Sequence, residues 1–309
     1  MKTELKYWLV TIIFTGVAIA SFYSCKKDDD PTEPLITSIS GVVQKGPFVS
    51  GADIKLYELN SSFNRTGISF YTKVNSDIGS FEITNTDLAI PGFMEVAADG
   101  FYFNEISGEL IDSHLNLTAL HSGFFDPTGI TDYIDGARIH REINVNILTH
   151  LEKERVIYLI KKEGYHPYYA KEIALSEILS NFFGYDDYFF LHSENLDYSS
   201  ESYGASILLA LSIILQGGRN AAELTELLGQ ISNEIREDGV FNNDSIITNL
   251  RETTLALNLE EIRNNLESRY AELGFEATIP NFEYFIEVFL NHTDNEFRSH
   301  NKDTVKQSK

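Results

Sequence analysis

A single cysteine, Cys25, excludes an intrachain disulfide and any cysteine-ligated zinc site from this 309-residue chain. Tryptophan is as scarce. The one indole, Trp8, lies in the N-terminal apolar run, which leaves the 16 tyrosines as the aromatic surface for any sugar-stacking role. Basic residues are outnumbered, 24 Lys and Arg against 46 Asp and Glu, for a formal charge of −22. Nucleic acids and anionic membrane surfaces both demand a cationic face, so no nucleic-acid partner is expected. After residue 22 no long apolar run occurs: 205–215 is nearly all apolar, but a bilayer core takes about 20 such residues, which makes it a core helix. Several chemical signatures are missing as well. There is no His-Glu-x-x-His, no phosphate-cradling Gly-Lys-Ser/Thr, no Gly-x-Ser-x-Gly elbow and no Asp-x-Asp-x-Asp-Gly calcium loop. His140 and His150 are ten residues apart, about 1000° around a helix, and so do not share a face. No catalytic residue, metal or cofactor is assigned from the sequence.

What is present begins with residues 1–30. Lys2 and Lys6 precede an apolar run over 7–22, and Gly16, Ala18, Ala20, Ser21 and Ser24 lead into Cys25, followed by Lys26, Lys27, Asp28, Asp29 and Asp30. A positive start, a short apolar stretch and small residues make a secretory signal. The arrangement resembles a bacterial lipoprotein signal, with Phe22 and Tyr23 at the positions where that family has an aliphatic and a small residue. The resemblance implies a diacylglyceryl group on the Cys25 thiol and a further acyl chain on its freed amino group. Burial contributes about 0.8 kcal/mol per methylene, so two or more chains anchor stably. The competing reading is an ordinary signal cleaved near Ala18 to Ala20. The acidic run after Lys27 resembles the surface-export signal of Bacteroidota-type lipoproteins, which implies an outer membrane lipoprotein exposed at the cell surface, with a periplasm-facing one as the alternative. Residues 1–24 are then the signal and 25–37 the lipidated cysteine and a tether carrying Pro31 and Pro34. About ten flexible residues span on the order of 15 to 20 Å.

Residues 38–121 carry strand signals. Ile54-Lys55-Leu56-Tyr57 lies in a run of period two, the stretch 68–74 is rich in β-branched and aromatic residues, and 75–80 supplies turn chemistry. Ser107-Gly108 between Glu105-Ile106 and Glu109-Leu110 predicts a two-residue hairpin. Seven or so short strands spaced by about 8 to 12 residues predict an antiparallel β-sandwich. Gly41-Val42-Val43, then 51–57, then Thr72 through Gly79-Ser80-Phe81, then Val96 with Gly100-Phe101-Tyr102, resemble a carboxypeptidase regulatory-like domain. Its members are non-catalytic, prealbumin-like sandwiches, which implies a spacer or binding role. Val43-Gln44-Lys45-Gly46-Pro47-Phe48 with 57–59 and 66–70 is also similar to an uncharacterised lipoprotein group of the same bacteria.

A Gly-rich linker over 122–138 precedes a switch to helical period at 139–290. A first helix starting near Ile143 shows two apolar stripes, the second made by Val156, Ile157 and Ile160. Asn220-Ala221-Ala222-Glu223 reads as a capping box for a helix ending at Gly239. About seven helices make an all-α array, followed by a polar tail over 291–309 that is expected to fray. Asn146-Ile147-Leu148-Thr149-His150-Leu151 and Ile279-Pro280-Asn281-Phe282-Glu283 are similar to the same uncharacterised lipoproteins. The fold class is therefore α+β, two-domain, each part closing its own core with a modest interface.

One stretch, 184–198, is long for a connection between helices. Tyr185, Asp186, Asp187, Tyr188, His192, Glu194, Asp197 and Tyr198 form a possible binding loop for calcium, a cationic peptide or a sugar, or a solvated connection pinned by Phe189, Phe190 and Leu191. Ser245 and Thr304, each after an Asp and before an aliphatic residue, match a short O-glycosylation pattern of such bacteria. The leading functional expectation is a lipid-anchored surface protein held to the membrane at Cys25 that binds an unknown protein or glycan partner without catalysis. The alternatives are an extracytoplasmic hydrolase using acids of the 184–198 loop and a purely structural envelope component.

Overall fold

The computed structural model describes residues 35–89, 92–123, 138–184 and 192–307. It is α+β: β-sheets in the N-terminal part and seven α-helices after them among the described residues. Cys25 lies outside the described residues.

Two sheets form the N-terminal part. β2 (Asp53–Leu59), β3 (Arg65–Lys73), β5 (Phe93–Gly100) and β8 (Leu115–Ser122) make an antiparallel sheet in the order β3-β2-β5-β8. β1 (Leu35–Gln44) pairs with β4 (Ser80–Ala89) in the other. The period-two pattern sends Ile54 and Leu56 of β2 and Met94, Val96 and Ala98 of β5 inward to meet Ile36, Ile39, Val43 and Ile83 of the second sheet. β6 (Phe103–Asn104) and β7 (Glu109–Leu110) are a short hairpin.

Three features differ from the local pattern. The hairpin connection is four residues, 105–108, because Glu105 turns into the core and cannot continue a strand beside Ser107. Residues 138–146 are not the start of a helix. β9 (Arg138–Glu142) and β10 (Val145–Asn146) pair in parallel with β1, and Ile143 is buried between them. A parallel partner is chosen by long-range contact, which local periodicity does not encode. The third is the C-terminus, where the helix expected to end near 290 runs on to Gln307.

The helices are α1 (Ile147–Tyr158), α2 (Pro167–Phe183), α3 (Tyr203–Gln216), α4 (Ala221–Asp238), α5 (Asp244–Leu255), α6 (Leu259–Glu272) and α7 (Phe282–Gln307). α1 starts at Asn146, whose side chain accepts from Thr149 N while Thr149 returns a bond to Asn146 N, and it ends in a π-type turn, Leu159–Glu163. The Asn220 and Glu223 box opens α4 as its spacing requires, and Gly239 closes it at φ 75°. α3 is buried from Gly204 to Gln216, and no single helix among the described residues is long and apolar enough to cross a membrane.

The cores of the two regions are not separate. One apolar cluster runs from Ile36, Leu56 and Val96 through Leu148 and Leu179 to Leu211, Leu228 and Phe289. A smaller cluster packs Val156, Leu159, Ala170 and Ala174 onto Leu59 and Leu120, with Ile157 and Ile160 beside them. The expected modest interface is thus a shared core. The second apolar stripe of α1 is what the sheet covers.

A buried ion pair sits at this junction. Lys45 Nζ lies 2.7 Å from Glu105 Oε1, both side chains fully buried, and Ser212 Oγ of α3 donates to the same oxygen at 2.9 Å. Burial lowers the Lys45 pKa, while the Glu105 charge and hydrogen bond oppose that shift. The next residue, Gly46, has φ 60°, and a Cβ there would stand 1.6 Å from Phe103 O. Removing one member of a buried pair leaves an uncompensated charge. Lys45→Met is expected to cost about 3–5 kcal/mol in urea denaturation, whereas Lys45→Met with Glu105→Leu should recover most of it. A single variant within about 1 kcal/mol of the parent would show that the pair holds nothing together.

Candidate functional site

The residues that alternate outward on β2 and β5 form a second face, and register places them in three rows. Lys73, Asp53, Asp99 and Asn116 line the first, Tyr71, Lys55, Ala97 and Thr118 the second, and Ser69, Tyr57 and Glu95 the third. α1 lies across β8 and closes one side of this face, bringing Lys153 to its edge. Ala97 is the smallest side chain among larger neighbours, so a depression of about 300 Å³ forms over it. An adjoining one of about 250 Å³ shares Asp53 and Asp99 and reaches Phe101 and His114, so the two make one elongated groove.

Its charges are mostly committed to one another. Glu95 accepts from Arg65 Nη2 at 2.8 Å and from Lys153 Nζ at 2.9 Å. Burial pushes the Glu95 carboxyl up, but Lys153 and Arg65 outweigh it and hold it below the usual carboxylate range. The Arg65 guanidinium stacks 3.5 Å over the Tyr57 ring. Asp53 accepts from Lys73 at 2.5 Å and from the Tyr71 hydroxyl, and these two bonds lower its pKa. His114 Nδ1 lies 3.5 Å from Asp99 and stands edge-on to Phe101. Lys55, exposed at the centre, makes no hydrogen bond or ion pair with any described residue, and neither does the Asn116 amide. Behind the β8 wall, His150 Nδ1 accepts from Thr118 N at 3.2 Å, and burial, helped by Lys153, pushes its pKa down to about 4.

The 184–198 stretch is placed differently. Tyr185, Asp186, Asp187 and Tyr188 lie outside the described residues. His192 stands beside the Tyr168 ring, and Asp197 accepts from Gln44 Nε2 at 2.6 Å. Tyr198 is fully buried, with Gln44 Oε1 accepting from its backbone N. Glu194 belongs to a sealed cluster: Lys171 Nζ lies 2.7 Å from Glu194 and 2.5 Å from Glu152, Ser193 Oγ donates to Glu152, and His121 lies 3.6 Å from Glu194. Burial raises both carboxyl pKa values; for Glu194 Lys171 and His121 reverse this, whereas Glu152 stays raised. Among the described residues no group of three or more His, Cys, Asp or Glu is placed to hold a metal ion. Ser245 is exposed in the first turn of α5, and Thr304 falls within α7.

None of the groove residues was picked out from the sequence. The outward alternation of β2 was legible, but which strand lies beside it was not. No protein-family model matches this chain, and searches of curated proteins and of solved structures return no match.

Two pH measurements test these environments. A histidine held at about 4 takes no proton in the folded chain while the unfolded chain does from about 6.5 downward. Stability should therefore fall as pH drops through that window, by up to roughly 3 kcal/mol, and His150→Asn, which keeps an acceptor for Thr118 N, should flatten the profile. For the sealed cluster, Glu194 has a lowered folded pKa, so its contribution is present above its unfolded pKa of about 4.3 and lost in acid. Glu152 has a raised one and costs stability above it. Glu194→Gln should destabilise more at pH 7 than at pH 3, since the loss continues down through the lowered folded pKa, while Glu152→Gln should be neutral or stabilising at pH 7. Equal losses from both at pH 7 would contradict the assigned directions.

Proposed function

We propose that this chain is a lipid-anchored, surface-exposed protein that binds an extracellular ligand in the groove over Ala97, without catalysis. The observation that carries this reading is Lys55, which lines the depression and makes no hydrogen bond or ion pair with a described residue, while Arg65 and Lys153 are held by Glu95 and Lys73 by Asp53; the Asn116 amide in the neighbouring row has no described partner either. Ligand sites present a small number of placed polar groups that a ligand can meet. The N-terminal sheets are read as a sandwich of the carboxypeptidase regulatory-like type, which supports a non-catalytic role. The hydrolase alternative would need carboxylates of shifted pKa that substrate can meet. Glu152 and Glu194 are shifted, but their side chains are only 1% and 5% exposed, and the reachable groove acids Glu95 and Asp53 are shifted down by the cations they bind, which leaves neither suited to give up or take a proton near neutral pH. The 250–300 Å³ groove favours binding over a purely structural envelope role.

The anchor at Cys25 and the segment up to β1, which begins at Leu35 and so shortens the expected tether, set this body a short distance from the outer membrane, at the cell surface. Cys25→Ser removes the acylated nucleophile and is expected to move the protein from the membrane to the soluble fraction. Unchanged fractionation would defeat the lipoprotein reading. Changing Asp28, Asp29 and Asp30 to alanine should leave the protein in the membrane fraction but reduce its digestion by protease added to whole cells. For the groove, glycan and peptide arrays probed with the parent and with Ala97→Trp should show a ligand lost in the variant. A ligand kept equally by both would place binding elsewhere.

A further inference from the structure

The geometry points to a ligand class for this groove: a saccharide bearing one carboxylate, such as a uronic acid unit, with the carboxylate on the Lys55 ammonium and its hydroxyls on Asn116 and Asp99. The inference rests on the groove being the binding site and adds what it selects.

Charge comes first. The 300 Å³ depression is lined by three cations, Lys55, Arg65 and Lys153, and three carboxylates, Asp53, Glu95 and Asp99. Glu95 engages both Arg65 and Lys153, Asp53 engages Lys73 from the adjoining depression, and Asp99 faces His114. With Lys73 counted, four cations face three carboxylates, a surplus of one positive charge, and Lys55 is the cation that makes no ion pair with a described residue. It matches a single negative charge, and the three surrounding carboxylates repel a second one. A phosphate dianion or a polyanion is therefore disfavoured.

Hydrogen-bonding pattern comes next. The site is on the face of a sheet, and the backbone groups of β2 and β5 are already used in the antiparallel ladder. A peptide adds to a sheet at an edge, where main-chain groups are free, and takes its specificity from pockets for alternate side chains. Here the floor is Ala97 and the lining is otherwise polar or charged apart from the Tyr57 ring, which Arg65 covers. A peptide laid on this face would leave its own N–H and C=O groups without partners. Sugar hydroxyls both donate and accept and can rotate to meet an amide and a carboxylate. At about 300 Å³, the depression is at the small end of ligand sites, room for one or two rings and not a long chain.

The test is calorimetry on the purified full chain with three probes: a glucuronate-containing disaccharide, its neutral glucose counterpart and a short peptide with a free C-terminal carboxylate. The acidic disaccharide should bind on the order of tenfold more tightly than the neutral one, the worth of one charge-assisted hydrogen bond. Lys55→Gln should erase that difference and Lys55→Arg restore most of it, with unchanged circular dichroism in both. Equal binding of the acidic and neutral disaccharides would overturn the carboxylate assignment while leaving the groove in place. Binding of the peptide alone, or of no probe, would overturn the saccharide assignment. If Ala97→Trp left disaccharide binding unchanged, the groove reading itself would fall.

Discussion

The Lys45–Glu105 ion pair is the constraint on which the rest of the structure depends, because it brings three distant segments to one point in the dry interior. Lys45 follows the end of β1, Glu105 comes from the β6–β7 hairpin, and Ser212 reaches in from the middle of α3, its hydroxyl on Glu105. Around this point Tyr102 donates to Gln216 at the end of α3, and Asn265 of α6 donates to the carbonyls of Glu105 and Ile106. Well-packed apolar residues could match such a pair in stability. What a pair adds is a penalty for every arrangement that separates the charges, so hairpin, strand end and helix are held in one relative register.

A second set of polar links repeats this on the other side of β1. Asn144 Oδ1 accepts from Val42 N, Asn144 Nδ2 donates to Leu196 O, and Asn146 Nδ2 donates to Ser193 O. Gln44 meets both Asp197 and the Tyr198 backbone. Residues 193–198 are thereby built into the β1–α1 junction, and Lys171 fixes their acid, Glu194, from α2. Acids in a long connection suggest a solvated loop or a ligand site from sequence alone. Here Glu194 instead neutralises a lysine that α2 buries.

What was legible in the sequence follows from the range of the interaction. Asn220 with Glu223, Gly184 and Gly239 act within a few residues, and each helix end is where those residues put it. The near-uniform apolarity of 205–215 is enough to assign α3 to the centre. β9 and β10 were not legible because their partner is about a hundred residues earlier, and nothing in 138–146 states that a parallel neighbour exists. Glu105 looked like a strand residue for the same reason: its partner, Lys45, is 60 residues away. The groove is the extreme case. Lys55 acquires meaning only when register sets Ala97 beside it on β5 and packing sets Lys153 of α1 at the rim.

Sharing a core therefore has a functional side. The sheet alone would present an open polar face, and α1 packed through Val156 and Leu159 onto Leu59 and Leu120 turns that face into a walled groove. The helical region need not be a separate unit carried by a spacer, since it completes a groove whose floor is the sheet. Electrostatics then works at two ranges. The chain as a whole carries −22, a field that repels anions, whereas the groove holds one cation more than it has carboxylates. At physiological ionic strength fields are screened beyond about 8 Å, so the long-range repulsion fades while contact with Lys55 does not. A ligand with many negative charges would extend past the groove onto the acidic surface, and one with none gains nothing from Lys55. On the proposed reading, the combination favours a small ligand with a single charge.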